Sequence, residues 1–326
     1  MRPTTQLPRR LPRRVEIVEV GPRDGLQNEP RAISTAEKLE LVRLALEAGV
    51  GAVQVTAFVH PRWVPQMADA EEVGRGLGEL ARRPGDEVAR DRPAVRCSAL
   101  VPNLKGYQRA VAAGVKAVDY VLSASDAFNR RNLNQSIAES LRELEQVARA
   151  AADDRVALRA DISAAFHSPF EGAIAPARLA GVARQAASLG VGEVGLSDTD
   201  GFADPLAVGA GVEAVLAGTS LQVEQLALHL HDTCGRAIAN VMAGLEVGVR
   251  RFDASAGGLG GCPYSPGASG NLATEDLVLL LHDLGIETGI DLDRMLDAAA
   301  YALQFSARPY QGHALRVKRP ELFRQA

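Results

Sequence analysis

Cysteine is scarce in this chain. Its three cysteines, Cys97, Cys234 and Cys262, are far apart and odd in number. That excludes a disulfide framework and fits a reducing, cytoplasmic setting. Aromatic residues make up only 4% of the chain, which argues against base-stacking platforms for nucleic acid. Positive charge is not in excess: the formal net charge is -4, which argues against a nucleic-acid or membrane-surface partner. No apolar run reaches the roughly 18 residues of a membrane span. What remains is a globular composition, 47% hydrophobic and 23% charged over 326 residues, with ample material for one large α/β domain or two ordinary ones.

The opening stretch MRPTTQLPRRLPRR is rich in arginine and free of acids. Pro3, Pro8 and Pro12 would break the amphipathic helix that an organelle-targeting peptide needs. Residues 1–14 therefore read as a disordered basic leader, with the mitochondrial matrix the lesser alternative to the cytoplasm.

From Val15 onward, short apolar runs alternate with amphipathic ones. Strands are expected at Val15–Val20, Ala52–Phe58, Ala94–Val101, Ala117–Ser123, Val156–Ser163, Gly192–Ser197, Glu224–His231 and Arg251–Ser255. Helices are expected between them. Ser34-x-x-Glu37 and Ser136-x-x-Glu139 are capping boxes, Asn103 is a cap for the helix that follows it, and Pro176 and Pro205 stand at first turns. Eight such βα units predict a (β/α)₈ barrel over residues 15–290, of class α/β, with 291–326 as a C-terminal helical extension packed on its outside. No Gly-x-Gly-x-x-Gly follows the first strand, which disfavours a dinucleotide-binding open sheet.

In such a barrel the active site lies at the C-terminal ends of the strands. Polar residues gather there. Strand one is followed by Arg23 and Asp24, strand two carries Gln54 and Thr56, strand six ends in Ser197-Asp198-Thr199, and strand seven carries His229 and His231. Residues two apart on a strand share a face, so His229 and His231 present two imidazoles to one side. With Asp24 they make a donor set suited to an octahedral divalent cation, and Asn271 could add an amide oxygen. Arg23 is placed to stabilise an oxyanion or enolate. Asp198 could transfer a proton, although an acid after a strand equally reads as a helix cap. The glycine-rich run Gly257–Gly261 leads to Cys262, which can reach into the site and exchange a proton, or can simply be a small residue at a turn.

The segment VEVGPRDGLQNE at Val18–Glu29 strongly resembles the opening motif of 3-hydroxy-3-methylglutaryl-CoA lyases, members of the DRE-TIM metallolyases. FVHPRWVPQM at Phe58–Met67, VPNLKG at Val101–Gly106, His229–Gly235 and GLGGCPYSPGASGNLATEDL at Gly258–Leu277 resemble further blocks of that family, so the likeness spans residues 15–305. The resemblance implies cleavage of an acyl-CoA to acetyl-CoA and acetoacetate with Mg²⁺ or Mn²⁺, held by Asp24, His229, His231 and Asn271. It implies catalytic roles for Arg23, His229, Asp198 and Cys262, and coenzyme-side contacts for Gln27, Asn103 and Lys105. A homo-oligomer, dimer or tetramer, is expected.

Gln54 stands where the family normally has a glutamate, Ala57 where a serine is common, Ser168-Pro169-Phe170 where Cys-Pro-Tyr is usual, and Cys234 where an aromatic is common. Two expectations follow for position 54. Either the lost charge weakens activity and Gln54→Glu restores it, or the amide serves a related 3-hydroxyacyl-CoA, of the isohexenylglutaryl-CoA or citramalyl-CoA type. A non-catalytic acyl-CoA or metal-binding barrel is the remaining alternative, and a condensing synthase of the same superfamily is disfavoured because the chain stops soon after the barrel.

Overall fold

The structure, a computed structural model, describes residues 11–80, 95–261, 270–310 and 312–323. Eight parallel strands close on themselves: β1 Glu16–Glu19, β2 Ala52–Ala57, β3 Arg96–Val101, β4 Ala117–Ser123, β5 Ala157–Ser163, β6 Glu193–Asp198, β7 Leu226–Leu230 and β8 Arg251–Ala254. Each strand pairs with its chain neighbours, and β1 closes the ring on β8 through Glu16↔Arg251 to Glu19↔Ala254. The helices α1 Thr35–Glu47, α2 Ala70–Leu80, α3 Leu104–Ala112, α4 Asp126–Leu133, α5 Ile137–Asp154, α6 Pro176–Ser188, α7 Pro205–Gly218, α8 Ala237–Glu246 and α9 Thr274–Asp283 follow the strands in turn. This is the expected (β/α)₈ barrel.

Local chemistry explains the boundaries. Ser34 and Ser136 each accept from the N–H three residues on, while Glu37 and Glu139 reach back to the cap backbone, so both capping boxes are formed. Pro176 and Pro205 open α6 and α7, where a missing N–H costs nothing. The core is the strand–helix interface, filled by residues such as Val53, Tyr120, Leu158, Val194, Leu228 and Phe252. The N-terminal mouth is sealed by a ring of ions from β1, β3, β6 and β8: Arg96 and Arg251 both bind Glu193 at 2.7 Å, and both also bind Glu16.

Three features differ from the sequence-based expectation. The helix α4 occupies DAFNRRNL, a polar stretch without apolar periodicity; it starts because Ser125 caps the N–H of Phe128, and it ends on Asn134 in the left-handed conformation at φ 56°. Residues 11–14, expected within a disordered leader, are joined to the barrel's underside: Arg14 bridges to Glu287, and the Arg13 carbonyl accepts from the Glu287 N–H at 2.9 Å. A β-bulge interrupts the pairing of β2 with β3 between Gln54 and Thr56, beside the barrel mouth. After α9 the chain forms α10 Leu292–Leu303 and α11 Ala314–Lys318. There Leu296, Ala299, Tyr310, Ala314 and Leu315 make a second apolar cluster.

Candidate active site

At the end of β1 the backbone makes one wide turn over Gly21–Gly25. The Gly25 N–H bonds the Val20 carbonyl at 3.2 Å, and the Leu26 N–H bonds the Gly21 carbonyl at 3.0 Å, each five residues back. Such single wide turns are frequent at functional sites. Glycine is needed at its ends, because a Cβ on Gly21 would stand 2.5 Å from Glu19 Oε1 and one on Gly25 2.7 Å from Ser255 Oγ. The turn carries Arg23 and Asp24 into the barrel mouth.

From β7, His229 and the residue just beyond the strand, His231, face the same interior. Their Nε2 atoms are 3.1 Å apart, and Asp24 Oδ2 lies 3.9 Å from the first and 3.8 Å from the second. All three ligand atoms fall within 4.8 Å of one another. Adjacent vertices of an octahedron with bonds near 2.1 Å are about 3 Å apart and opposite ones about 4.2 Å. The observed spacings lie in that range, so one small dication fits among the three. Asn271 is alongside: its amide donates to Asp24 Oδ2 at 2.7 Å and to the Leu259 carbonyl at 2.9 Å, while its buried Oδ1 has no partner. A buried acceptor left unsatisfied beside a carboxylate and two imidazoles is the chemistry that a cation would complete. Burial alone would raise the Asp24 carboxyl, but the Arg23 guanidinium and the two imidazoles hold it well below the usual carboxylate range. Asp24 is therefore ionised at neutral pH.

Each of these groups is braced from behind. Asp253 on β8 places Oδ2 3.3 Å from His229 Nδ1, which leaves Nε2 pointing at the shared position. Asp253 also holds Arg159 in a two-pronged pair at 2.9 and 2.6 Å, and Arg159 Nε reaches Asp161 Oδ1 at 2.6 Å. On the other side Arg23 Nη1 binds Asp24 and Arg23 Nε binds Gln54 Oε1. Gln54 Nε2 in turn donates to Asp119 Oδ2, which also accepts from Ser98 Oγ at 2.6 Å. A cavity of about 420 Å³ opens above this network, lined among others by Arg23, Asp24, His229, His231, Asp161 and Gly261.

The structure separates the expected site residues. Arg23, Asp24, His229, His231 and Asn271 come together. Gln27 lines the cavity, and its Nε2 donates to Asp24 Oδ1 at 3.1 Å, so it braces the acid. Asn103 lines the cavity while its Oδ1 caps α3 at Gly106. Lys105 is not on the cavity wall; it is exposed in an adjoining groove of about 280 Å³ that shares His60, Pro102 and Asn103 with the cavity. Gln54 does not line the cavity either, and reaches it only through Arg23. Asp198 is a correction. Strand alternation turns Ser197 inward and Asp198 outward, where it is fully buried, accepts from the Ala203 N–H at 3.1 Å, and has its carboxyl pushed up to about 6 by burial. Cys262 lies outside the described residues; its neighbour Gly261 is anchored by Asn28, whose Nδ2 donates to the Gly261 carbonyl at 3.0 Å.

Asp119, Arg159, Asp161 and Asp253 were not expected. Their signal is present in the sequence: charged residues at alternate positions inside otherwise apolar strands, as in Leu158-Arg159-Ala160-Asp161 and Phe252-Asp253-Ala254, must face the barrel interior.

A family model described as HMGL-like matches residues 14–301. The chain belongs to this family. It is 45% identical to mitochondrial hydroxymethylglutaryl-CoA lyase of Bos taurus over 294 residues, 90% of this chain and 86% of that protein. The human mitochondrial protein of the same name is 44% identical over the same shares. Among solved structures, hydroxymethylglutaryl-CoA lyase from Pseudomonas aeruginosa superposes with a TM-score of 0.87 at 41% identity, covering 95% of this chain and 99% of that one. An HMG-CoA lyase from Acinetobacter baumannii, solved with coenzyme A and 3-methylmalate, gives 0.84 at 35% identity over 94% of this chain and 95% of that one.

Proposed function

We propose that this chain is a divalent-metal-dependent carbon–carbon lyase that cleaves 3-hydroxy-3-methylglutaryl-CoA to acetyl-CoA and acetoacetate. The observation that carries the reading is the meeting of Asp24, His229 and His231 beside Arg23 in the cavity at the C-terminal end of the barrel. These three residues would hold Mg²⁺ or Mn²⁺, with Asn271 Oδ1 as a further oxygen. Such an ion supplies a Lewis acid and a template for the substrate's C3 hydroxyl and free carboxylate. The protein's own residues do the rest. A base in this layer, where His229 is oriented by Asp253, takes the hydroxyl proton; the C3–O bond becomes a carbonyl, the C2–C3 bond breaks, and its electron pair passes to the thioester as an enolate. Arg23 is fixed on two sides by Gln54 and Asp24, and its Nη2 makes no hydrogen bond among the described residues, so a donor remains for the enolate oxygen. Cys262 returns a proton to C2, giving acetyl-CoA.

We assign the coenzyme arm to the rim near Asn103 and Lys105, and the assembly to a homo-oligomer in the cytoplasm. The proline-broken basic leader supports that location over an organelle. Among the described residues no helix is long and apolar enough to cross a membrane. The deciding experiment is an assay of acetyl-CoA and acetoacetate release with Mg²⁺, Mn²⁺ or EDTA. Product formation abolished by EDTA and restored by either ion is expected; no release under any condition would overturn the reading.

A further inference from the structure

The cavity floor is more polar than a methyl-bearing acyl group requires. On β5, Arg159, Asp161 and Ser163 alternate onto the interior face, and Asp161 pairs with Gly195 on the next strand. Asp161 lines the cavity and is only 8% exposed. Its Oδ1 is taken by Arg159 Nε at 2.6 Å, and among the described residues nothing donates to its Oδ2. The space that holds it is made by a missing side chain: a Cβ on Gly195 would stand 2.0 Å from Asp161 Oδ1 and 2.5 Å from Arg159 Nη2. A leucine or valine at 195 would expel the pair and leave a small apolar floor. The chain instead builds a polar one, with an unpaired Asp161 oxygen turned to the same chamber as Asp24, His229 and His231.

We infer that Asp161 is a specificity-determining residue that accepts a hydrogen bond from a hydroxyl on the acyl group's C3 substituent. The preferred thioester is then a 3-hydroxyacyl-CoA that carries a hydroxymethyl group where 3-hydroxy-3-methylglutaryl-CoA carries a methyl. This rests on the lyase reading and names the substrate class of that site. Cleavage follows the same balance: the C2–C3 pair passes to the thioester, and the C3 side leaves as 4-hydroxy-3-oxobutanoate. A long apolar substituent does not suit this floor, because it would bury the Asp161 oxygen and an ion pair against hydrocarbon. A pocket built to pair with a substrate hydroxyl discriminates strongly against the analogue that lacks it, since the pocket group is then left unpaired.

The test compares kcat/KM for 3-hydroxy-3-methylglutaryl-CoA and 3-hydroxy-3-(hydroxymethyl)glutaryl-CoA, with Mn²⁺ present, in the full chain and in Asp161→Val and Asp161→Ala. The unmodified chain is expected to favour the hydroxymethyl thioester roughly tenfold or more. Both variants should invert that ratio by raising turnover of the methyl thioester and lowering that of the other. Asp161→Ala adds no bulk beside Gly195 and leaves Arg159 paired with Asp253, so it serves if the valine variant does not fold, as judged by circular dichroism. A preference for the methyl thioester in the unmodified chain, or an unchanged ratio in a folded variant, overturns this inference and leaves the lyase reading intact. Cleavage of neither thioester overturns the lyase reading and this inference with it.

Discussion

The side chains of Gln54 on β2 and Asp119 on β4 are joined across the barrel interior. The Gln54 amide donates to Asp119 Oδ2 while its Oε1 accepts from Arg23 Nε, so both ends of the amide are in use. A carboxylate at position 54 would keep the contact to Arg23 and lose the one to Asp119, setting two acids face to face. At an effective dielectric near 20, like charges about 4 Å apart cost roughly 4 kcal/mol, and a third of that is about a tenfold change in rate. Gln54→Glu is therefore expected to lower kcat/KM about tenfold. This reverses the gain expected when position 54 is considered by its charge alone. Adding Asp119→Asn supplies the missing donor and should recover most of the loss. Strictly additive effects in that double-mutant cycle would show that the two positions are not coupled.

Asp253 is expected to tune ion affinity through His229. It fixes which imidazole nitrogen carries the proton, and its own carboxyl is held below the usual range: burial opposes ionisation, but Arg159 and His229 more than offset it. Replacing such a supporting acid costs on the order of 10–100-fold in metal affinity. Asp253→Asn should weaken Mn²⁺ binding by that factor in titration calorimetry, with the melting temperature recorded as a control for the altered Arg159 pair. Unchanged Mn²⁺ affinity would show that His229 is oriented by other contacts.

The barrel and the shared face of His229 and His231 were legible in the sequence because both follow from strict periodicities. Strand alternation alone sets His229 and His231 on one face, and two capping boxes and two N-terminal prolines mark helix starts that the structure reproduces. The bracing groups were harder to see. Asp253 and Asp161 meet only through Arg159, which is 94 residues from Asp253 along the chain, and no local pattern encodes that pairing. Asp198 misled because the end of a strand marks height in the barrel but not side: one residue of register sends the carboxylate to the helix layer. The helix α4 escaped because its start depends on a Ser125 cap and not on an apolar stripe.

Cys262 is expected to matter to turnover and little to stability. It follows a run of glycines, so a changed thiol leaves no large apolar cavity. Serine keeps the size but is a far poorer acid near neutral pH. General acid–base groups contribute roughly 100-fold or more to rate. Cys262→Ser should lower kcat by about that factor with the melting temperature unmoved, as read by steady-state kinetics and thermal denaturation on one preparation. Full activity in the serine variant would remove Cys262 from the reaction.

The pH dependence of stability should carry the signature of Glu19. This carboxyl is fully buried at the end of β1, where Oε1 accepts from the N–H groups of Gly21 at 2.7 Å and Ala256 at 2.9 Å, and Oε2 meets Thr274 Oγ1 at 2.7 Å. It thus ties the Arg23–Asp24 turn to the loop after β8 and to the start of α9. Burial outweighs these hydrogen bonds and raises its pKa from 4.5 to about 7. A carboxyl whose folded pKa is raised binds its proton more tightly folded than unfolded. Its contribution is therefore present at low pH, falls as pH rises from about 4.5, and is fully lost above about 7. In Glu19→Gln the amide can donate to Thr274 and nothing titrates. The variant should match the parent near pH 4.5 and exceed it increasingly up to pH 7, by an amount of order 1–3 kcal/mol. Parallel melting-temperature profiles for the two proteins across that window would show that Glu19 ionises in the folded chain as freely as in the unfolded one.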